Sequence, residues 1–349
     1  VIAEAEERSR SLLSVGLTPA GFVASPDFEH YATVWARDAC VAALGALTTD
    51  DPGLVAGAAA TLDTLAAAAS PLGQIPAVVN PRAGVWDWGE GGAVDPSCWF
   101  PIVAGHHLAA TGDLERASRW WPAVEAALSW LAHQDVTGSG LISAAPSTDW
   151  MDAALTRSGR TLHLNALYAW AAAEAERMAG ALEQPPPVDA AVLRRRVDVW
   201  FWPDPSVNLG DLYPHGFAHQ ALRVSYWEAG SYRRRHYVSH VVHNAYVDAC
   251  DVLANLVAVL AGVASPERGL AVLDRLAGEA DVPFPSRSLL EPVAPGDGTG
   301  MLIGAVEANL PPRWRNRPGR YHNGAVWPYI GGFHAAASAV RSSVDQAWS

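Results

Sequence analysis

A chain of 349 residues, half of them hydrophobic and only 17% charged, can bury a sizeable core as one large α-class domain or as two ordinary ones. Its formal net charge of −12 argues against a nucleic-acid or anionic-membrane surface. All 24 basic residues are Arg, and without Lys there is no Schiff base, no pyridoxal attachment and no P-loop.

Apolar and small residues recur at helical spacing over roughly 35–48, 53–69, 97–111, 114–133, 162–182, 188–200, 240–263, 267–279 and 324–340. Asp51-Pro52 predicts a helix start, and Thr111-Gly112-Asp113 a stop followed by a new N-cap. Alternating strand patterns are scarce; Tyr237–Val242 is the best short candidate and could equally begin a helix. Long helices alternate with polar loops rich in Trp, Asp, Arg, Gly and His. A toroid of paired helices would look like this, with the loops at one end shaping a cavity. No fixed repeat of ~30–47 residues supports a solenoid. Pro185-Pro186-Pro187 is too short a breaker to separate domains, so one domain is expected over 1–349.

Cys40, Cys98 and Cys250 are few, odd in number and set in apolar helical context. They read as buried free thiols in a reducing compartment, hence a cytoplasmic location. No Cys/His spacing resembles a zinc site, and His106-His107 cannot point the same way on a helix, so no metal is expected. Arg194–Arg196 and Arg233–Arg235 read as solvated faces. No apolar run reaches membrane-spanning length, and no basic n-region precedes an apolar core. The chain begins at Val1 and not Met, which leaves upstream residues open.

The polar segments carry the chemistry. Trp35-Ala-Arg37-Asp38 places an indole, a forked donor and a carboxylate just ahead of an apolar helix, a set able to grip adjacent sugar hydroxyls. A first-turn carboxylate beside a surface Arg is the plainer reading. From Trp86 to Trp99 there are three acids (Asp87, Glu90, Asp95) and three Trp, with glycines between. Most of the 15 Trp suit core packing, but a solvated loop has no need of so many indoles, whereas a carbohydrate cleft has. Ser147-Thr148-Asp149-Trp150-Met151-Asp152 sets two carboxylates beside an indole at a helix mouth. Desolvation against an indole disfavours the charged carboxylate and holds a proton nearer neutral pH. Tyr321-His322-Asn323-Gly324-Ala325-Val326-Trp327-Pro328 combines an Asn-Gly turn with a Trp-Pro helix entry.

In this order these segments resemble the (α/α)6-barrel glycoside hydrolases, nearest to the amylo-α-1,6-glucosidase domain of glycogen debranching enzymes. The chain is also similar to alkaline/neutral invertases and, more distantly, to glucoamylases. Trp35-Ala-Arg37-Asp38 resembles W-x-R-D, whose Arg and Asp bind the terminal sugar in the −1 subsite. Asp95-Pro-Ser-Cys-Trp99-Phe100 resembles D-x-x-x-W-[FW]. Trp150-Met151-Asp152-Ala153, followed by Arg157-Ser-Gly-Arg-Thr-Leu-His-Leu-Asn165-Ala-Leu, is similar to T-W-M-D-A…R-x-G-K-x-x-E-[IV]-x-A-L, in which the Asp is the general acid. Residues Tyr321 to Pro328 closely resemble Y-H-[NQ]-G-[TGS]-x-W-P, with Ala325 at the [TGS] position. The resemblance spans about residues 30 to 340. It implies an all-α six-hairpin toroid with catalytic loops at one end, and inverting hydrolysis of a terminal α-glucosidic bond. Asp152 would be the acid, Arg37 and Asp38 would fix sugar hydroxyls, and Trp35, Asp95, Trp99, Trp150, Tyr321, His322, Asn323 and Trp327 would complete the substrate site. Carboxylate chemistry of this kind requires no cofactor, and the partner is an oligosaccharide or glucoside.

Two departures stand out. His163 occupies the position of the motif's Glu. The family's second catalytic carboxylate is a Glu well beyond the H-N-G-x-x-W-P segment, yet Asp345 is the sole acid after Pro328. The ending Asp345-Gln-Ala-Trp-Ser349 resembles the Q-A-W-S that follows that Glu in relatives. The expectation is that a segment near 340–344 is absent from the sequence, the alternative being a chain without the usual base. Glu307 is one candidate for the second carboxylate within the chain, but Glu-Ala-Asn-Leu gives no reason to prefer it. Two rival readings are a non-catalytic sugar-binding barrel and an epimerase working through paired His bases, for which His106, His107, His236 and His322 are available.

Overall fold

The computed structural model describes residues 2–89, 93–151, 157–208, 220–231, 233–242, 245–279, 286–294 and 317–348. Among the described residues there are eleven α-helices and eight strands of two or three residues. They fall into two compact units, Val1–His133 with Ala171–Ala190, and Gln134–Trp170 with Ala191–Ser349.

The first unit runs α1 (Ile2–Val15), β1 (Leu17–Thr18), β2 (Gly21–Phe22), β3 (Val34–Trp35), α2 (Ala36–Ala46), α3 (Pro52–Ala67), β4 (Val78–Asn80), β5 (Val85–Asp87), α4 (Asp95–Thr111) and α5 (Leu114–Ala132). Helix α2 packs on α3 and α4, and α4 on α5. Small side chains set these approaches: α2 buries Ala36, Ala39, Cys40, Ala43 and Ala46. The helix ends are local in origin. Asp51 caps α3 by accepting from Gly53 and Leu54 N–H at 2.7 and 3.1 Å, with Pro52 at the first helical position. Gly112 ends α4 at φ 68°, a conformation that favours glycine, and Asp113 caps α5 through Arg116 N–H at 2.9 Å.

The second unit contains β6 (Arg160–Thr161), the first half of α6 (Leu162–Ala181), α7 (Ala190–Phe201), α8 (Gln220–Gly230), β7 (His240–Val242), β8 (Ala245–Val247), α9 (Val252–Leu260), α10 (Pro266–Glu279) and α11 (Pro328–Trp348). Every residue of α9 from Val252 to Ala258 is buried, so this is a core helix without a solvent face. Each of its fully buried Leu or Val side chains contributes about 1.5–3 kcal/mol. Helix α11 packs on α9 and α10.

Three buried asparagines tie loops to this core. Asn165, in the first turn of α6, accepts from Ile142 N–H at 2.9 Å and donates to Ile142 C=O at 3.0 Å. Asn255, at the same position of α9, does the same to Tyr237 at 2.8 and 3.3 Å. Both also donate to the carbonyl four residues back, at 2.9 and 2.8 Å. Asn323 grips Val293 at 2.7 and 2.8 Å. Each amide thus takes the place of a strand neighbour for one residue.

Several expectations need correction. The run 240–263 is helical only from Val252; its first part forms β7 and β8, rich in the β-branched residues that suit strands. Helices α1 and α8 were not expected. Helix α1 is largely polar, with Arg8–Glu4 and Arg10–Glu6 pairs at 2.8 Å and no strong apolar stripe. The cluster Arg233–Arg235 is not a simple solvated face. Arg234 is buried and forks onto Asp248 at 2.8 and 3.1 Å, where His236 also lies at 3.0 Å. Cys40, Cys98 and Cys250 are buried free thiols. Among the described residues no helix is long and apolar enough to cross a membrane.

Candidate active site

In the first unit, Trp35 is the last residue of β3 and the N-cap of α2, so Arg37 and Asp38 fall in the first helical turn. Arg37 Nε donates to Asp95 Oδ2 at 2.5 Å. Asp95 opens α4, where a carboxylate complements the helix N-terminus, and it is wholly buried. Trp99, one turn later, is buried as well. Asp95 therefore orients Arg37. Asp38 is reached by solvent, yet the surrounding protein pushes its carboxyl upward, with neighbouring Arg37 pulling it back.

In the second unit two distant segments meet. Trp150 packs edge-on against His322 at 5.1 Å, Trp327 at 6.1 Å and Tyr329 at 5.9 Å. Tyr321, at φ 43°, stacks on His322 at 4.1 Å, and Trp327 Nε1 donates to Tyr321 C=O at 3.0 Å. His163, in the position of the motif's Glu, is buried 6.4 Å from Trp150. Asn323 is fully buried with its amide on Val293, so it braces the turn that presents His322. Asp152 and Glu307 lie outside the described residues.

The loop ahead of Asp152 is held by charges that sequence reasoning did not connect. Asp149 accepts from Met151 N–H at 3.0 Å and from Arg157 Nε at 2.7 Å. Arg157 Nη1 donates to Asp251, which caps α9 through Ala254 N–H at 3.0 Å. All three side chains are buried. Burial pushes Asp251 upward against the pull of Arg157. One ion pair, Asp149–Arg157, therefore brackets the segment that follows Met151. Around this loop Trp150 Nε1, Arg157 Nη2 and His240 Nε2 have no hydrogen-bond partner among the described residues.

Burial, with the Arg157 guanidinium adding repulsion, pushes the His240 ring down to about 3 from an ordinary 6.5. Between those values the unfolded chain binds the additional proton. The histidine's contribution is therefore complete above the unfolded pKa and is lost as pH falls toward the folded one. The limiting loss is roughly 5 kcal/mol. Urea unfolding at pH 7 and pH 4 should show wild type losing roughly 3 kcal/mol more than His240→Gln. Parallel losses in the two proteins would refute a buried neutral ring.

No protein-family model matches the chain, and no curated protein matches it. Solved structures do. The glucose complex of a GH63 mannosylglycerate hydrolase from Thermus thermophilus is similar at TM-score 0.65 and 16% identity, covering 97% of this chain and 87% of that one. Its complex with Tris and D-glycerate gives 0.63 and 17%, over 96% and 87%. A GH78 family rhamnosidase of a Bacillus species gives 0.54 and 18% over 80% of this chain. The chain spans only 26% of that rhamnosidase's length. At these identities the likeness is one of fold: the chain shares the mostly helical architecture of the six-hairpin glycosidase structures.

Proposed function

We propose that the protein is a glycoside hydrolase that removes a terminal sugar by inversion, with an α-linked glucosyl unit as the substrate group. The observation that carries this reading is the meeting of Trp150 with His322 and Trp327 in one aromatic cluster. Those residues come from two motifs that the family resemblance, independently of any coordinates, assigns to one sugar site. The fold shared with a mannosylglycerate hydrolase and a rhamnosidase supports the reading, as does a glucose complex of the former.

In this mechanism Asp152, following Trp150 and Met151, protonates the leaving oxygen, and a second carboxylate activates water on the opposite face of the ring. Two carboxyl groups separated by ~6.5–9.5 Å leave room for that water. By the family resemblance, and not by any placement of the two units, Arg37 and Asp38 hold the hydroxyls of the terminal sugar. Trp150 and Trp327 supply apolar walls, and the buried donors Trp150 Nε1 and Arg157 Nη2 add polar groups that hydroxyls can satisfy.

A sugar-release screen over isomaltose, panose, maltotriose, glycogen limit dextrin, sucrose and mannosylglycerate tests the reading. Release of a monosaccharide with inverted anomeric configuration is expected from at least one α-glucoside. Release from none of them, with sugar binding retained by calorimetry, would replace the hydrolase by a binding protein. Asp38→Ala should weaken binding and turnover together. The expected fall in kcat/KM is roughly 10- to 100-fold, because hydrogen bonds to charged groups contribute ~1.5–3 kcal/mol each. An unchanged kcat/KM would remove Asp38 from the sugar site.

A further inference from the structure

The first unit contains a cavity that the proposed reaction leaves unassigned. It has a volume of about 230 Å³ and lies on the antiparallel sheet β3-β4-β5. Strand register puts Trp35, Val78 and Asp87 in one row across the sheet, with Asn80 and Val85 two residues along on the same face. Glu29, from a short 3-10 turn, closes the rim. Trp86 borders the cavity, but the register turns its side chain to the opposite face with Val34 and Val79.

The wall has a definite chemistry. Trp35, Val78 and Val85 offer an apolar floor, and Glu29, Asp87 and Asn80 surround it with oxygen acceptors and one amide donor. Asp87 spends one oxygen on Gly89 N–H at 2.8 Å, and its second has no protein partner among the described residues. No Arg or His is among the described residues of the lining. Arg82 lines a neighbouring cavity of about 310 Å³, which shares Thr33 and Asn80 with this one. Hydroxyl groups suit such a wall, since they donate to carboxylates and their C–H faces cover an indole. A carboxylate does not, because it would sit beside two acids with no cation to offset them. Drug-sized ligands occupy ~300–1,000 Å³, so this cavity fits one ring or a short polyol and not an extended chain.

Trp35 joins the cavity to α2, whose first turn holds Arg37 and Asp38. We propose that this cavity is the leaving-group subsite, and that it takes an uncharged polyhydroxyl group, a second sugar ring or a polyol, in preference to a carboxylate. The assignment rests on the glycosidase reading for its place in the reaction, but its selectivity is measurable without turnover.

The test uses two α-glucosides that differ only in charge, glucosylglycerol and glucosylglycerate. Calorimetric binding and kcat/KM are measured on the wild-type chain and on Glu29→Gln/Asp87→Asn. The neutral compound should lead by about tenfold in wild type, and the gap should shrink to about threefold in the double variant. Equal binding, a lead for the carboxylate, binding of neither, or a gap unmoved by the double variant would each overturn the assignment. Preferential binding of glucosylglycerol, lost in the double variant, with no glycoside hydrolysed would support the cavity's selectivity and sink the hydrolase reading instead.

Discussion

Asp152→Asn is expected to lower turnover about 10²–10⁴-fold while leaving sugar binding in place. An amide keeps the size and most hydrogen bonds of the carboxyl group but has no proton to give the leaving oxygen. Trp150, two residues earlier in the chain, is a buried indole in an aromatic cluster. An apolar wall disfavours the carboxylate and raises its pKa toward the working pH. The wild-type kcat/KM should therefore fall on an alkaline limb, and the variant should lose that limb along with its rate. Calorimetry with an unhydrolysed sugar separates the two effects. A variant retaining more than about a tenth of the wild-type rate would remove Asp152 from the acid's role.

The second large effect is on stability. Arg157→Ala should cost about 3–5 kcal/mol, because it leaves Asp149 and Asp251 buried without the cation between them. The damage would spread in two directions. Asp149 closes the turn at Met151, and Asp251 caps α9, the buried helix against which α11 packs. Urea unfolding should show a lower midpoint with little change in slope. Adding Asp149→Asn and Asp251→Asn to Arg157→Ala should recover part of the loss, since neutral amides cost less to bury than unpaired carboxylates. A loss below about 1 kcal/mol in the single variant would show that water reaches the pair.

What could be read from the sequence was what is local. Asp51-Pro52 and Gly112-Asp113 mark helix ends because a cap is written in two or three adjacent residues. Helices α2, α3, α4 and α5 follow from their periodicity, and His322 and Trp327 could be placed near Trp150 only because a family pattern had already grouped them. The unread parts are non-local or too short. Strands β6 and β8 have two and three residues, too few for alternation to register, whereas β7 falls inside the Tyr237–Val242 candidate. Arg157 and Asp251 are separated by 94 positions, and nothing in either neighbourhood announces the other. Asp149, one of the two carboxylates beside Trp150 in sequence, pairs with Arg157. The cap shared by α6 and α9 was present as Thr161-x-x-x-Asn165 and Asp251-x-x-x-Asn255, but its meaning depends on which loop each amide reaches.

One of the three asparagine braces also sets how this protein ages. Asn323 precedes Gly324, the pairing in which a side-chain amide is most readily lost through backbone attack, because glycine offers no steric resistance. In the folded chain that amide is held at both ends by Val293, and Gly324 N–H is held by Ser288 Oγ at 3.0 Å. Ring closure would have to break these bonds first, so the reaction is confined to molecules that have locally opened. Once formed, an aspartate there could still accept from Val293 N–H, but it would set a second acceptor against Val293 C=O. The segment carrying His322 would then reclose poorly. Unfolding and chemical decay at this turn would feed each other, and the protein's shelf life would track the opening of this one turn.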